Sequence, residues 1–325
     1  MSVTNAENRR FGLAGYMNEL SLLSAIVILY LVFGLTANGF LSFPNQINIL
    51  RDAATIGIAA WAATLIIICG EIDVSTGPMV AFISVILAYL LQWGTPTVLA
   101  FALAIVLGGL LGALAGALRA WFDVPSFVAT LGLWSALRGL ALFMTDALPV
   151  SIGRNDIVDL LDRPFLGLPP AVILMLALFV LFLFISRKTA FGRSVYAVGG
   201  NPHAALLAGI NVARIRILVF AIGGAMAALS GILLLSRLGS GNATAASGLE
   251  FDVIAAVVVG GTALSGGRGS MVGTLLGVLV ITLIGNGLIL LGINPFIQQV
   301  VRGVIIVVAV LANIQAIKRS RAQRS

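Results

Sequence analysis

Charge is scarce in this sequence, and so are the residues that most soluble chemistry uses. Charged residues fill 10% of the 325 positions, cysteine and histidine occur once each, and lysine stands only at 188 and 318. Against 60% hydrophobic residues and a mean hydropathy of +1.11, so little charge excludes a soluble domain and indicates a polytopic membrane protein. The single cysteine, Cys69, excludes an intramolecular disulfide and any multi-cysteine metal site. His203 has no companion at metal-ligand or triad spacing, so no chemistry is assigned to it and no metal site is expected. The run GGTALSGGRG at 260–269 lacks the GxxxxGK[ST] pattern, and no lysine lies between Lys188 and Lys318. No nucleotide-binding loop is therefore present, and no cofactor is expected on this chain. Any ATP-driven work would need ATP and magnesium on another polypeptide. The glycines of 260–269 instead suit close helix packing and a tight turn. The N-terminus lacks a short apolar region followed by a small-residue cleavage site, so no removable signal peptide is expected.

What is present is a succession of apolar runs. A spanning helix takes about 20 residues. Ten spans are predicted, at 20–40, 50–70, 77–93, 97–118, 126–145, 168–186, 217–236, 251–266, 271–292 and 296–315. Residues 74–118 carry no charge over 45 positions, which requires two spans joined tightly near Gly94-Thr95-Pro96. Ten spans put both termini on one face. If that face is cytoplasmic, thirteen cations lie inside: Arg9, Arg10, Arg119, Arg187, Lys188, Arg193, Arg214, Arg216, Arg268, Lys318, Arg319, Arg321 and Arg324. Four lie outside (Arg51, Arg154, Arg163 and Arg237), and Arg138 and Arg302 fall within spans. Positive charge resists translocation, so this split favours that orientation and explains the net charge of +7 without nucleic acid. The longest outer loop, 146–168, carries Asp146, Asp156, Asp159 and Asp162 among Pro149, Pro164 and Pro169 and has room only for a small helix. Residues 1–325 thus read as one membrane domain, with a cytoplasmic N-terminus (1–19), a central loop (187–216) and a tail (316–325).

The central loop lies in a polar island, 186–216, between two charge-free blocks at 165–185 and 217–236. It holds five cations and no carboxylate. Asn201-Pro202 starts a turn, and Pro202 suits the first position of a short helix at 203–208 that Gly209 could cap. Such a helix is either a docking element for a cytoplasmic partner or a solvated connector.

A faint repeat runs through the chain. GGLLGAL at 108–114 recurs as GTLLGVL at 273–279, and Arg138-Gly139 recurs as Arg302-Gly303. The paired spans run in opposite directions, as in an inverted repeat of two five-helix halves with a pathway at its axis. Between spans two and three, GEIDVSTG (70–77) places Glu71, Asp73 and Ser75 between glycines. It is either a broken segment near a pathway, where irregular backbone is tolerated, or a solvated turn. Thr130, Trp134 and Arg138 are four apart and share a helical face, which lines either a cavity or an interface with a second copy. Asn286 in span nine is a further pathway candidate.

Four stretches resemble the membrane permease subunits of ribose-type (simple sugar) bacterial ABC importers, from about residue 45 to 315. GEIDVSTG is similar to that family's GGIDLSVG, and VPSFVATLGLWSALRG (124–139) to its VPxFIxTLGxxxxxRG. FGRSVYAVGGNPHAALLAGINV (191–212) resembles its central loop, and GLEFDVIAAVVVGGTALSGGRGSMVGTLLG (248–277) is nearly its consensus. The resemblance implies two permease subunits, identical or paralogous, forming a pathway in the bacterial inner membrane. It also implies two cytoplasmic ATP-binding subunits and a periplasmic sugar-binding protein. The central loop would then be the coupling element, through Gly192, Arg193, Asn201, Pro202, His203, Ala204, Ala205 and Gly209. Of the superfamily's EAA-x-x-x-G coupling motif, Ala204-Ala205 and Gly209 fit, while His203 replaces the glutamate. Glu71 departs from a family glycine, and Pro78 from the residue that follows the motif, which puts the local backbone in question.

The expected protein is all-α and polytopic and carries a pentose or hexose into the cytoplasm. ATP hydrolysis belongs to another subunit, and this chain is no enzyme. Other ABC permease cargoes (a quorum-signalling furanose, a nucleoside, a branched-chain amino acid) and a stand-alone secondary transporter are the alternatives.

Overall fold

The apolar runs become helices that stop where glycine or proline interrupts them. The computed structural model describes residues 4–322 except 154, 156, 157, 160, 162, 164 and 166. The expectations placed on Arg154, Asp156, Asp162, Pro164 and Arg324 lie outside those residues, as do the side chains of Arg9, Arg10, Lys318, Arg319 and Arg321. Twelve helices are present among the described residues. They are α1 (Thr4–Thr36), α2 (Phe43–Ile68), α3 (Thr76–Gln92), α4 (Thr97–Trp121), α5 (Ser126–Thr145), α6 (Pro170–Lys188), α7 (Ala190–Gly200), α8 (Pro202–Leu207), α9 (Val212–Leu238), α10 (Leu249–Val259), α11 (Met271–Leu290) and α12 (Pro295–Ala322). Among the described residues, the strands are an antiparallel two-residue pair, β1 (Val150–Ser151) and β2 (Ser240–Gly241), beside an isolated bridge between Phe165 and Leu168.

Among the described residues, seven helices are long and apolar enough to cross a membrane: α2, α4, α5, α6, α9, α11 and the 18–36 part of α1. The expected span 251–266 is corrected. Its helix covers 11 residues, about 16 Å against a hydrocarbon core of about 30 Å. It ends at Gly260 and Gly261 (φ 89°), and 260–270 turns back without helix. α3 is also short, with 17 residues.

The two halves share an order: long helix, break, short helix, then two further helices, as α2–α5 and α9–α12. The long helices run antiparallel. Glu71, just after α2, pairs with Arg216 near the start of α9, while Asp52 near the start of α2 pairs with Arg237 at the end of α9. Each short helix packs on the long helix of the other half, α3 on α9 and α10 on α2.

Small residues make these approaches possible. Every buried residue of α4 is Ala or Gly. A Cβ on Gly224 of α9 would lie 1.9 Å from the Gly108 carbonyl oxygen, and one on Gly112 2.1 Å from that of Phe220. The repeat's second copy works likewise, with Gly273 and Gly277 against Gly260 and Ala256 at 2.0 Å each. Gly108 and Gly112 of one copy and Gly273 and Gly277 of the other therefore mark backbone-to-backbone contacts, the small-xxx-small packing of membrane helices. Around this frame α2 is the central helix, with Trp61 fully buried and donating to the Met175 carbonyl (3.3 Å). The outer faces of α1, α4, α5, α6 and α12 present Leu, Val and Phe to the surroundings.

Gly224→Ala and Gly273→Ala are each expected to lower the detergent-solubilised melting temperature, through overpacking that costs about 1–3 kcal/mol. Gly285→Ala, with nothing within 4 Å of the added Cβ, is the control expected to melt like the parent.

Candidate translocation site and coupling surface

The chain leaves helical geometry twice inside the bundle, and both breaks are held by α5. Between α2 and α3, Gly70 (φ 84°) turns the backbone and residues 71–75 run non-helical beside the start of α5. There the Ile72 N–H donates to Ser126 Oγ (3.1 Å) and the Val74 N–H to Thr130 Oγ1 (3.3 Å). Asp73 Oδ1 accepts from the backbone N–H (2.8 Å) and hydroxyl (2.6 Å) of Ser75. Glu71 is buried at 4% exposure, with Arg119 Nε 3.0 Å from both of its oxygens and Arg216 Nε 2.7 Å from one. The carboxylate that departs from the family glycine is thus matched by two arginines, and it ties the end of α4 to the start of α9.

The second break, 239–248, follows α9. Gly239 (φ 64°) caps that helix, and Gly241 lies so close to α3 that a Cβ would sit 2.6 Å from the Ser84 carbonyl oxygen. The Arg138 guanidinium donates to the carbonyls of Ala243 and of Ala245 (3.3 Å). Asn242 Oδ1 accepts from the N–H and hydroxyl of Thr244 at 2.8 Å each, and Ser247 Oγ donates to the Thr244 carbonyl (2.8 Å). Thr244 and Ser247 remain exposed. In α10, Glu250 Oε1 accepts from Trp134 Nε1 (2.8 Å), and Asp252 pairs with Arg302 (3.2 Å). The breaks meet at Gly77, whose Cβ would lie 2.8 Å from the Ala246 carbonyl oxygen and 2.0 Å from Glu250 Oε2.

The expected pathway residues therefore divide into three groups. Asp73, Ser75 and Thr130 brace the first break, and Thr130 is fully buried. Trp134 and Arg138 hold the second break, Arg138 by donating to backbone carbonyls. Glu71 closes the α4–α9 end. Asn286 joins none of these, since it forms a reciprocal amide pair with Asn45 (2.9 and 3.0 Å). It also borders a cavity of ≈ 260 Å³ between α2 and α9–α12. Sequence reasoning missed Glu250, Arg119 and the whole 239–248 break. The available signal was the charge-free run GSGNATAASG (239–248) and two carboxylates opening α10.

Of the expected coupling residues, those in and beside α8 form a distinct element. Asn201 Oδ1 accepts from the Ala204 N–H (3.0 Å) as N-cap, Pro202 opens the helix, and Gly209 (φ 81°) ends it. His203, Ala204, Leu206 and Leu207 are exposed, Leu207 to 90%, while Ala205 is buried. α7, unforeseen as a helix, is capped by Thr189 Oγ1, which accepts from the Gly192 N–H (3.1 Å). Gly192 is buried, with a Cβ 2.2 Å from the Ile185 carbonyl oxygen, whereas Arg193 is exposed. The far end of α7 abuts the first break and the 260–270 turn through Gly199. Gly199 packs against Ile68 and Gly267, Gly266 packs against Gly70 and Gly199, and the Gly267 N–H donates to the Ile68 carbonyl (2.8 Å). Tyr196 fastens the same joint by donating to the Gly269 carbonyl (3.0 Å). Burial raises its phenol pKa, opposed by nearby Arg187, so it stays a donor at neutral pH.

A helical bundle with two braced breaks and an exposed helical hairpin joined to the first of them has the architecture of a membrane permease. The chain belongs to the family described as branched-chain amino acid transport system / permease component, whose model matches residues 45–310. It is 70% identical to the "Probable ABC transporter permease protein YphD" of Escherichia coli (strain K12), over 94% of this chain and 92% of that protein. It is 41% identical to the ribose import permease protein RbsC of Bacillus subtilis (strain 168), over 94% and 95%. With the xylose transport system permease protein XylH of E. coli (strain K12) it shares 33% identity, over 92% of each. No solved structure matches the chain. The resemblance to ribose-type permease subunits, read from four motifs, is borne out.

Glu71→Ala leaves Arg119 and Arg216 without their shared carboxylate. The expected loss is about 2–3 kcal/mol, below that of a fully buried pair because both guanidiniums reach solvent. Thermal melting in detergent measures it, and Glu71→Ala/Arg216→Leu should recover part of the loss.

Proposed function

We propose that the chain is the permease subunit of an ATP-driven importer. It carries a pentose or hexose from a periplasmic binding protein across the bacterial inner membrane into the cytoplasm. It works with a second permease subunit and two cytoplasmic ATP-binding subunits, which supply all the hydrolysis. The orientation is N- and C-termini inside, as the thirteen-to-four division of cations favours. The cargo class follows the relatives, which include ribose, xylose and L-arabinose permeases.

The observation that carries the reading is the α7–α8 element. It stands on the side with most cations, presents Leu206 and Leu207 to solvent, and meets the first break and the 260–270 turn through Gly199. Exposed leucines on a capped helix outside the membrane suit a groove on a partner, as amphipathic helix docking does. A push on that helix then passes to Gly70 and to 266–267 through these close backbone contacts.

The test is uptake of labelled D-ribose, D-xylose, L-arabinose, the hexoses D-glucose and D-galactose and, as comparator, L-leucine by cells expressing the chain with its neighbouring ATPase and binding protein. One of the sugars should accumulate and leucine should not. Ala204→Asp should reduce uptake about tenfold or more by burying a charge in the docking groove, with the amount of protein in the membrane unchanged. Accumulation without any ATPase, or normal uptake by Ala204→Asp, contradicts the reading.

A further inference from the structure

Glu250 is 2% exposed, yet only one of its carboxylate oxygens is bonded. Oε1 accepts from Trp134, while Oε2 has no hydrogen-bond partner. The two nearest arginines are otherwise engaged, Arg138 with the Ala243 and Ala245 carbonyls and Arg302 with Asp252. A buried acceptor left unsatisfied is costly, and such groups are retained where function uses them. Glu250 is also placed where function would act, at the meeting of the two breaks, with Oε2 against Gly77. Any side chain at position 77 would collide with that oxygen.

We infer that Glu250 and Trp134 form the contact point for the transported solute inside the membrane, with Thr244 and Ser247 beside it, and that the solute is a neutral polyhydroxylated molecule. The inference rests on the sugar-importer reading and deepens it. A carboxylate accepts from hydroxyls and repels an anion, and the cationic Arg138 close by opposes a cationic solute. The indole offers an apolar face of the kind that covers the C–H side of a sugar ring, and the exposed hydroxyls of Thr244 and Ser247 can donate or accept. Few polar groups on a largely apolar wall suit a site that must release its cargo. In this state the site is shut, because Gly77 covers Oε2. The Gly77 segment begins at Gly70, which touches Gly199 of α7. Movement of α7–α8 would therefore draw Gly77 off the carboxylate and present Oε2 to the solute.

The experiment uses the assembled transporter in cells and the sugar that it carries best from D-ribose, D-xylose, L-arabinose, D-glucose and D-galactose, compared with that sugar's deoxy analogues. Glu250→Gln keeps the side-chain shape and the bond from Trp134 while removing the charge. It is expected to lower the uptake rate about tenfold, the cost of losing a hydrogen bond to a charged group. It should also flatten the preference for the parent sugar over one deoxy analogue, with the membrane level maintained. Glu250→Asp should restore part of that preference, and Trp134→Phe should slow uptake less than Glu250→Gln. Wild-type rate and selectivity in Glu250→Gln overturn the assignment. So does a slowing in which the preference among analogues is unchanged, since a purely structural brace gives that result. If the wild-type transporter carries none of these sugars, the sugar reading fails first.

Discussion

A backbone amide that leaves helical geometry inside a membrane finds no water to bond, so something in the protein must meet it. This chain breaks its helices twice, at 69–75 and 239–248, and the rest of the fold answers to that constraint. α5 supplies Ser126 and Thr130 to the first break and Arg138 to the second. The breaks then pack against each other, Gly77 on Ala246 and Glu250, so each covers part of the other's polar surface. What remains uncovered is small and polar, namely Thr244 and Ser247. Hydroxyls at that depth are tolerable only against water or a protein neighbour.

Glycine does two separate jobs around this centre. Along α4, α9, α10 and α11 it lets helix backbones touch, which fixes the frame. At Gly70, Gly199 and Gly266–Gly267 it joins the frame to α7, and three of these four take positive φ. Backbone contacts of this kind behave as packed solids, so displacement at one side reaches the other with little loss. On the proposed orientation that joint is cytoplasmic, where an ATP-binding partner would press on Leu206 and Leu207. Glu71, held by Arg119 and Arg216, stiffens the same end of the bundle.

Much of the fold was legible because hydropathy and glycine act locally. The apolar runs became helices, Asn201-Pro202 and Gly209 bounded α8, and the glycines of the 108–114 and 273–279 repeat proved to be contact points. Span 251–266 was misjudged for a physical reason. A half-length apolar helix followed by glycine and small residues has the hydropathy of a full span, and only the contact of 266–267 with Gly70 and Gly199 reveals the turn. The candidate site was legible in part. Trp134 and Arg138 showed themselves as polar groups on an apolar helix, but Glu250 lay in a motif that looked like the start of a span. Its partner is 116 positions away, and no periodicity connects residues so distant. Asn286 stands apart from both breaks: its amide is satisfied by Asn45, 241 positions earlier, and it borders the ≈ 260 Å³ cavity.

The central claim is that the 239–248 break borders a water-filled path. Thiol accessibility tests it most directly, in a Cys69→Ala background. Cysteines at Thr244 and Ser247 should react with a membrane-impermeant reagent, and their rates should change when ATP is added with the partner subunits present. A cysteine at the outward-facing Leu131 should not react. If Thr244 and Ser247 are as unreactive as Leu131 in every nucleotide state, the break lies against lipid or sealed protein and the account is wrong.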